Sequence, residues 1–172
     1  NKGSWGTVIF AWNSASYTIN ISGGYFANNC CNARDEGGSV IMQRDGVLNL
    51  SGGVFENNTT TRASSGQNSK GAIVCWNRTW SNNPTLNLSG NPIIRNNTGD
   101  GITANLTIGV RSNLNVDNLD KSADIGIQVI DDSLKPPSAV FAQASNGKQA
   151  STIANIDRIS NDYYPALTAE AG

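Results

Sequence analysis

Few residue types in this chain could support catalysis. Its 172 residues include 13 Asp and Glu side chains and no His. Without His, acid/base catalysis or calcium binding would need clustered carboxylates. The acids are scattered, and Asp117 and Asp120 are a pair that flanks one turn, where calcium could bind with backbone carbonyls. Turn formation explains these aspartates more simply, so we predict no catalytic residues, no metal site and no cofactor.

Aromatic and arginine side chains are better candidates for a ligand site. The chain has four Trp residues, and three of them fall close together when the repeat described below is aligned. Aromatic rings beside Arg suit stacking against sugars or contact with a peptide partner. The alternative is that these rings only cover a loop. The candidate ligand-binding residues are Trp12, Trp76, Trp80, Arg44 and Arg78.

A short repeated segment must position these side chains. Its pattern, apolar-Asn-apolar-Ser-Gly, begins at Ile19, Leu48 and Leu86, with a weaker copy at Leu114. Self-similarity at a period of about 20–50 residues indicates a solenoid, propeller or array. Each copy is too short to bury its own apolar face, so the copies must stack. Their asparagines are predicted to form an outward amide ladder at the ~4.8 Å spacing of stacked coils. The ladder residues are Asn20, Asn49, Asn87 and Asn115.

Pairs of asparagines follow the first three copies and are predicted to close the next corner. Asn adopts left-handed backbone more readily than other non-glycine residues and caps turns with its side chain. The pairs are Asn28-Asn29, Asn57-Asn58 and Asn96-Asn97.

A second apolar segment precedes each of the three stronger copies and begins at Gly6, Gly38 or Gly71. Strand alternation, counted from each glycine, predicts two inward rows and one outward row. The inward rows are Val8/Val40/Ile73 and Phe10/Met42/Cys75. The outward row is an apolar strip formed by Ile9, Ile41 and Val74. Exposed apolar patches usually mark interaction sites, so we expect this strip to contact a partner.

The combined motifs resemble those of a known family. Gly-Gly-x-aromatic-x-Asn-Asn, then Gly-Ala-Ile-Val, then Leu-Asn-Leu-Ser-Gly-Asn-Pro-Ile-Ile is similar to the right-handed parallel β-helix repeats of adhesin-like bacterial surface proteins, with pectate-lyase-like coils. The resemblance covers about residues 5–130. It implies an all-β fold, a right-handed parallel β-helix of about three to four coils. The coils would occupy residues 1–118 and a C-terminal β cap residues 119–172.

The resemblance also implies a function. It favours a non-catalytic module of a secreted or bacterial cell-surface protein, an adhesin or stalk that binds a glycan or a protein partner. The alternative is a fragment of a carbohydrate-active enzyme, a polysaccharide lyase or glycoside hydrolase, whose catalytic coils lie upstream. Residues 6–12 have the pattern of an internal strand rather than of a polar cap, so we expect upstream β-helix coils of the same polypeptide.

Composition argues against several other classes. With 12 basic and 13 acidic residues, the formal net charge is −1, which disfavours nucleic acid as a partner. No apolar run approaches the ~20 residues of a membrane span. The three Cys residues include the adjacent pair Cys30 and Cys31, which argues against a disulfide framework. We expect Cys75 to be a small buried hydrophobe.

Overall fold

A computed structural model describes residues 1–12, 17–33, 37–62, 70–76, 83–109, 112–130, 143–144 and 159–161. Within these ranges the secondary structure is all-β, and the strands stack in parallel as a β-solenoid of about three turns. The predicted all-β parallel solenoid is therefore confirmed.

Each coil contributes strands to four faces, which the chain visits in the order B, C, D and A. Face A consists of β1 (Lys2–Gly3), β5 (Cys30–Ala33), β9 (Thr59–Arg62), β13 (Thr98–Gly99) and β14 (Ile102–Thr103). Face B consists of β2 (Ile9–Ala11), β6 (Gly37–Gln43), β10 (Lys70–Cys75), β15 (Leu106–Gly109), β17 (Asp124–Ile130) and β19 (Ile159–Asn161). Face C consists of β3 (Thr18–Ile21), β7 (Val47–Leu50), β11 (Thr85–Gly90), β16 (Asn113–Leu119) and β18 (Gln143–Ala144). Face D consists of β4 (Tyr25–Ala27), β8 (Val54–Glu56), β12 (Ile93–Arg95) and the first part of β17.

The repeated segment forms face C, and its alternation places apolar residues inside. Leu48 pairs in register with Ile19 on one side and with Leu86 on the other. The two inward rows are Ile19/Leu48/Leu86/Leu114 and Ile21/Leu50/Leu88/Val116, and they all pack in or against the apolar core. The asparagines between them point outward, so the predicted orientation of face C is confirmed.

The corner between faces D and A is built by the asparagine pairs. The first member of each pair has a left-handed backbone, with φ values of 56°, 57° and 55° at Asn28, Asn57 and Asn96. The second member turns inward, and Asn58 and Asn97 are fully buried. The predicted corner role of these pairs is confirmed. The strands of face A that follow were not predicted, and Thr59–Arg62 had the polar composition of a loop.

The predicted orientation of face B is correct in the third coil, where Ile73 and Cys75 lie in the core, but it is wrong for the paired strands β2 and β6 of the first two coils. Ile9 and Ile41 are paired in register and face the apolar core, whereas Phe10 is 40% exposed and Val8 is 44% exposed. Val74 pairs with Met42, on the opposite side of the sheet from Ile41. The residues Ile9, Ile41 and Val74 therefore do not form an outward strip. Cys75 does lie in the core, as predicted, and is fully buried.

A β-bulge explains this error. Between Gly38 and Ile41 strand β6 has two residues, while β10 has only Ala72 between the paired positions Gly71 and Ile73. One extra residue shifts the register by one and reverses the facing of every residue counted from the glycine. The backbone also bends sharply between Gly38 and Ile41. A Cβ at Gly38 would lie 1.8 Å from the carbonyl oxygen of Ile41, so only glycine fits at this position. As a result the adjacent residues Val40 and Ile41 both join the core.

The C-terminal side differs from the first coils. Face A ends in β14, which pairs antiparallel with β13. Strand β17 still pairs in parallel, first with β12 and then with β15, and so joins faces D and B. Most of the predicted cap, residues 119–172, lies outside the described residues, so the cap and the boundary at 118/119 stay predictions.

Candidate ligand-binding site on face B

The first coil carries a row of aromatic rings on the outer side of face B. Phe10 and Trp12 are two residues apart and project on the same side, because alternate residues of a strand share a face. Their ring centroids are 6.1 Å apart with an interplanar angle of 28°. Trp5 extends the row, with its ring centroid 5.6 Å from that of Phe10 at 24°. We call Trp5, Phe10 and Trp12 the aromatic row.

The aromatic row is accessible to solvent. Trp12 is 56% exposed and Phe10 is 40% exposed, whereas Met42, the register partner of Phe10 in the next coil, is fully buried. Large exposed apolar side chains that touch one another form a patch rather than scattered surface residues. The first coil is thus the place on face B where the outer surface offers ring faces and edges to a ligand.

Arg44 lies beside this row in the second coil. The backbone N–H of Arg44 donates to the carbonyl of Ala11 at 2.9 Å, which places Arg44 directly above Trp12. Its guanidinium carbon is 5.7 Å from the centroid of the Trp12 ring. That distance is within the range of a cation–π interaction, and Arg44 is only 9% exposed. The arginine therefore orients the Trp12 ring more than it offers a free charge to a ligand.

Trp76 occupies the equivalent position of the third coil. Its backbone N–H donates to the carbonyl of Gln43 at 3.0 Å, so Trp12, Arg44 and Trp76 follow one another in successive coils. The indole of Trp76 is half-buried and lies over Gly109, where an added Cβ would be 2.0 Å from its Cδ1 atom. Trp76 therefore packs on the scaffold and is less available than Trp12. The remaining predicted site residues, Arg78 and Trp80, lie outside the described residues.

Sequence reasoning missed two members of the aromatic row. Phe10 was assigned to the core and Trp5 was not considered. The spacing of Phe10 and Trp12, two residues apart in a strand, was the available signal. It was overridden by counting alternation from Gly6.

A second polar cluster lies on the outer side of face D. The hydroxyl of Tyr25 donates to Oε1 of Glu56 at 2.8 Å, and Nε of Arg95 donates to Oε2 of the same carboxylate at 3.3 Å. Arg95 also lies 3.7 Å from Asp124. The Tyr25 and Arg95 hydrogen bonds lower the pKa of Glu56, and the bond to Glu56 raises the pKa of Tyr25. These groups satisfy one another, which is typical of a structural surface network.

Among the described residues, no group of three or more His, Cys, Asp or Glu side chains could hold a metal ion. Asp117 lies in β16 and Asp120 follows that strand, with its backbone N–H bonded to the carbonyl of Gly90. The part of the chain that the structure describes contains no helix long and apolar enough to cross a membrane.

Comparison with known proteins does not assign the chain to a group. No protein-family model, no curated protein and no solved structure matches it.

Proposed function

We propose that this chain is a glycan-binding module of a secreted or bacterial cell-surface protein, and that the aromatic row is its ligand contact. The observation that supports the proposal is the exposure of Phe10 and Trp12, at 40% and 56%, in two rings that stack against each other. The predicted ligand contact of Trp12 is kept in this proposal, whereas Arg44, predicted as a second ligand contact, is the residue that orients Trp12.

The shape and chemistry of the row favour a sugar ligand. A pyranose ring has an apolar C–H face that packs on an aromatic ring, while its hydroxyl groups remain hydrated at the rim. Three contacting rings, Trp5 against Phe10 and Phe10 against Trp12, provide contacts for neighbouring sugar units of one chain. The formal net charge of −1 makes the protein nearly neutral, so we expect a neutral or weakly charged glycan.

The scaffold supports binding because it holds the rings in place. Ring contacts on both sides restrict Phe10, and the guanidinium of Arg44 restricts Trp12. A side chain that is already ordered loses less entropy when a ligand binds. Aromatic residues are rich in contact area and have few rotatable bonds, which makes them effective anchors.

A glycan array with a matched pair of variants tests this proposal. The wild-type protein should bind a restricted set of glycans, and Trp12→Ala should lose that binding. The control is the double variant Asn49→Ala with Asn87→Ala on face C, which should retain it. Absence of binding to any glycan, with capture of a protein ligand instead, would reject the sugar assignment. Retained binding by Trp12→Ala would reject the site.

A further inference from the structure

We propose that Asn57 and Asn96 are acceptor sites for N-linked glycosylation. Each begins an Asn-x-Thr sequence, which is an acceptor pattern for this modification. The pattern alone does not identify the sites, because seven Asn-x-Ser or Asn-x-Thr sequences lie in the part of the chain that the structure describes. Exposure and hydrogen bonding separate them, and the inference is independent of the aromatic row. The seven asparagines are Asn20, Asn49, Asn57, Asn58, Asn87, Asn96 and Asn105.

Asn57 and Asn96, which we call the corner acceptors, lie at the outside of the corner between faces D and A. Both residues are exposed, and their φ values of 57° and 55° are left-handed. This turn leaves the side chain of the first asparagine in solvent, while the next residue, Asn58 or Asn97, is fully buried. Exposed turns on a rigid scaffold are accessible to enzymes. Both acceptor amides can therefore enter the active site of a transferase while the protein stays folded.

The third residue of each sequence, Thr59 or Thr98, supplies the hydroxyl that a transferase recognises. The two threonines pair in register at the start of their face A strands, with their Oγ1 atoms 3.4 Å apart. Both are half-buried, and the next residue of each strand, Thr60 or Gly99, is buried. Because alternate residues of a strand point to opposite sides, Thr59 and Thr98 face outward. The acceptor amide and the hydroxyl thus lie on the same outer surface.

Two of the other acceptors are inside the protein. Asn58 is fully buried and Asn105 is 4% exposed. Nδ2 of Asn58 donates to Oδ1 of Asn97 at 2.9 Å, and Oδ1 of Asn105 accepts from Nδ2 of Asn97 at 2.9 Å. A sugar on either amide would have to replace contacts inside the protein, so the folded state excludes both.

Two further acceptors, Asn49 and Asn87, are held in the outer ladder of face C, and we call them the ladder acceptors. Nδ2 of Asn49 donates to Oδ1 of Asn20 at 2.7 Å, and its Oδ1 accepts from Nδ2 of Asn87 at 2.6 Å. Asn87 accepts in the same way from Asn115 at 2.7 Å. Each amide thus lies between neighbours in coils ~4.8 Å away, and a sugar on Nδ2 would break the ladder. Asn20 is bonded only through its oxygen among the described residues, so the ladder acceptors are the better comparison.

The modification would use a nucleotide-activated hexose. Nδ2 of the asparagine attacks the anomeric carbon of the sugar and forms a C–N bond. The bond from that carbon to the phosphate oxygen breaks, and the nucleoside diphosphate leaves with the electron pair. Nδ2 gives up one proton to a base of the transferase. An amide that is held by two neighbours lacks the freedom for this attack, whereas the side chains of Asn57 and Asn96 are exposed.

Asn28 provides a natural control in the first coil. It is the equivalent corner residue, exposed and with a φ of 56°. The third residue of its sequence is Cys30, which pairs in register with Thr59. Asn28 therefore has the backbone geometry of the corner acceptors without the hydroxyl. Cys30→Thr supplies that hydroxyl at a position where the next coil already carries threonine, so it should create an acceptor.

Enzymatic transfer of glucose to the folded protein tests the proposal. The protein is incubated with UDP-glucose and a soluble N-glycosyltransferase that accepts Asn-x-Ser and Asn-x-Thr, and the modified residues are located by peptide mass spectrometry. We expect a hexose on each of the corner acceptors, Asn57 and Asn96. The ladder acceptors, Asn49 and Asn87, should carry none, because their hydrogen bonds hold them in the sheet.

Two controls separate the effect of the fold from that of the local sequence. Peptides of residues 46–53 and 54–61, which contain Asn49 and Asn57, should both be modified, since no ladder forms in a short peptide. Ser51→Thr should leave Asn49 unmodified in the folded protein, which excludes a simple preference of the enzyme for threonine.

Two variants test the role of the third residue. Cys30→Thr should gain a hexose on Asn28, and Thr59→Val should lose the hexose on Asn57. Melting temperatures close to that of the wild type would show that both variants are folded. The proposal is overturned if the corner acceptors stay unmodified in the folded protein while the peptides react, if the ladder acceptors are modified as fully as the corner acceptors, or if folded Cys30→Thr gains no hexose on Asn28.

Discussion

Asn58 donates a hydrogen bond from Nδ2 to Oδ1 of Asn97 at 2.9 Å, at a corner where both side chains are fully buried. The backbone N–H of Asn58 donates to the same oxygen at 3.0 Å. The same arrangement links Asn29 to Asn58 and Asn97 to Asn105. The described residues thus form two amide ladders: a buried one that donates toward later coils, and an exposed one on face C that donates toward earlier coils.

The buried ladder should contribute much more stability than the exposed one. Asn58→Leu would leave buried polar partners of Asn58 unsatisfied, among them the carbonyl of Phe26 and the amide of Asn29. Each such group costs about 1–3 kcal/mol, so we expect a loss on the order of 3 kcal/mol or more. Asn49→Ala, in the exposed ladder, should cost less than about 1 kcal/mol. Urea unfolding of both variants measures the difference, and equal losses would contradict the burial assigned to Asn58.

The inner and outer sides of face C predict a second difference in stability, between a core variant and a surface variant. Leu50 is fully buried in the core, and its neighbour Asn49 points outward. Leu50→Asn removes apolar volume and buries an amide without a partner, which should cost on the order of 3–5 kcal/mol. If Asn49→Ala were more destabilising than Leu50→Asn in the same denaturant melt, the inside and outside of face C would be reversed.

Two glycines should respond differently to an added methyl group. A Cβ at Gly38 would lie 1.8 Å from the backbone oxygen of Ile41, whereas one at Gly23 would meet nothing within 4 Å. Backbone atoms cannot move aside as a flexible side chain can. Gly38→Ala should therefore lower the melting temperature by several degrees or prevent folding, since a loss of ~1 kcal/mol already shifts it by about 2–8 °C. Gly23→Ala should change it little. Equal melting temperatures would contradict the sharp bend at the start of β6.

The Tyr25–Glu56 hydrogen bond predicts a change in acid titration. Its loss in Tyr25→Phe should raise the pKa of Glu56 toward the ordinary value of 4.5. Because the folded-state pKa is lowered, the contribution of Glu56 to stability is present above its unfolded pKa and is lost as the pH falls through the folded value. An NMR titration of the Glu56 carboxyl carbon measures the shift. An unchanged pKa in Tyr25→Phe would show that this hydrogen bond does not form in solution.

The repeat made the fold predictable. Recurrence of apolar-Asn-apolar-Ser-Gly correctly predicted the core rows and the outer ladder of face C. It did so because β3, β7 and β11 pair residue for residue, without a bulge, so equivalent residues face the same side. Asn105 could not be found in this way. It joins the buried ladder only because the antiparallel hairpin of β13 and β14 brings the chain back over Asn97, eight residues earlier.

The candidate site was predictable only in part. Trp12 was identified because it ends the first strand of its coil, and Arg44 because it flanks the same edge. The structure places the guanidinium of Arg44 over the Trp12 ring. Phe10 was missed because a bulge and a close glycine contact depend on backbone geometry, which periodicity does not encode. For the same reason Ile9 and Ile41 of the apolar strip were assigned to the wrong side of the sheet, whereas Val74 was assigned to the correct side.

Titration calorimetry of the wild type and of Trp12→Ala, with the glycan that the array shows to bind most strongly, tests the central claim most directly. The account predicts that Trp12→Ala weakens binding tenfold or more, the ~1.4 kcal/mol or more expected for loss of an aromatic anchor. The melting temperature should stay close to that of the wild type, because Trp12 is 56% exposed. Binding that persists in Trp12→Ala but disappears in the Asn49→Ala and Asn87→Ala double variant would contradict the account and place the functional surface on face C.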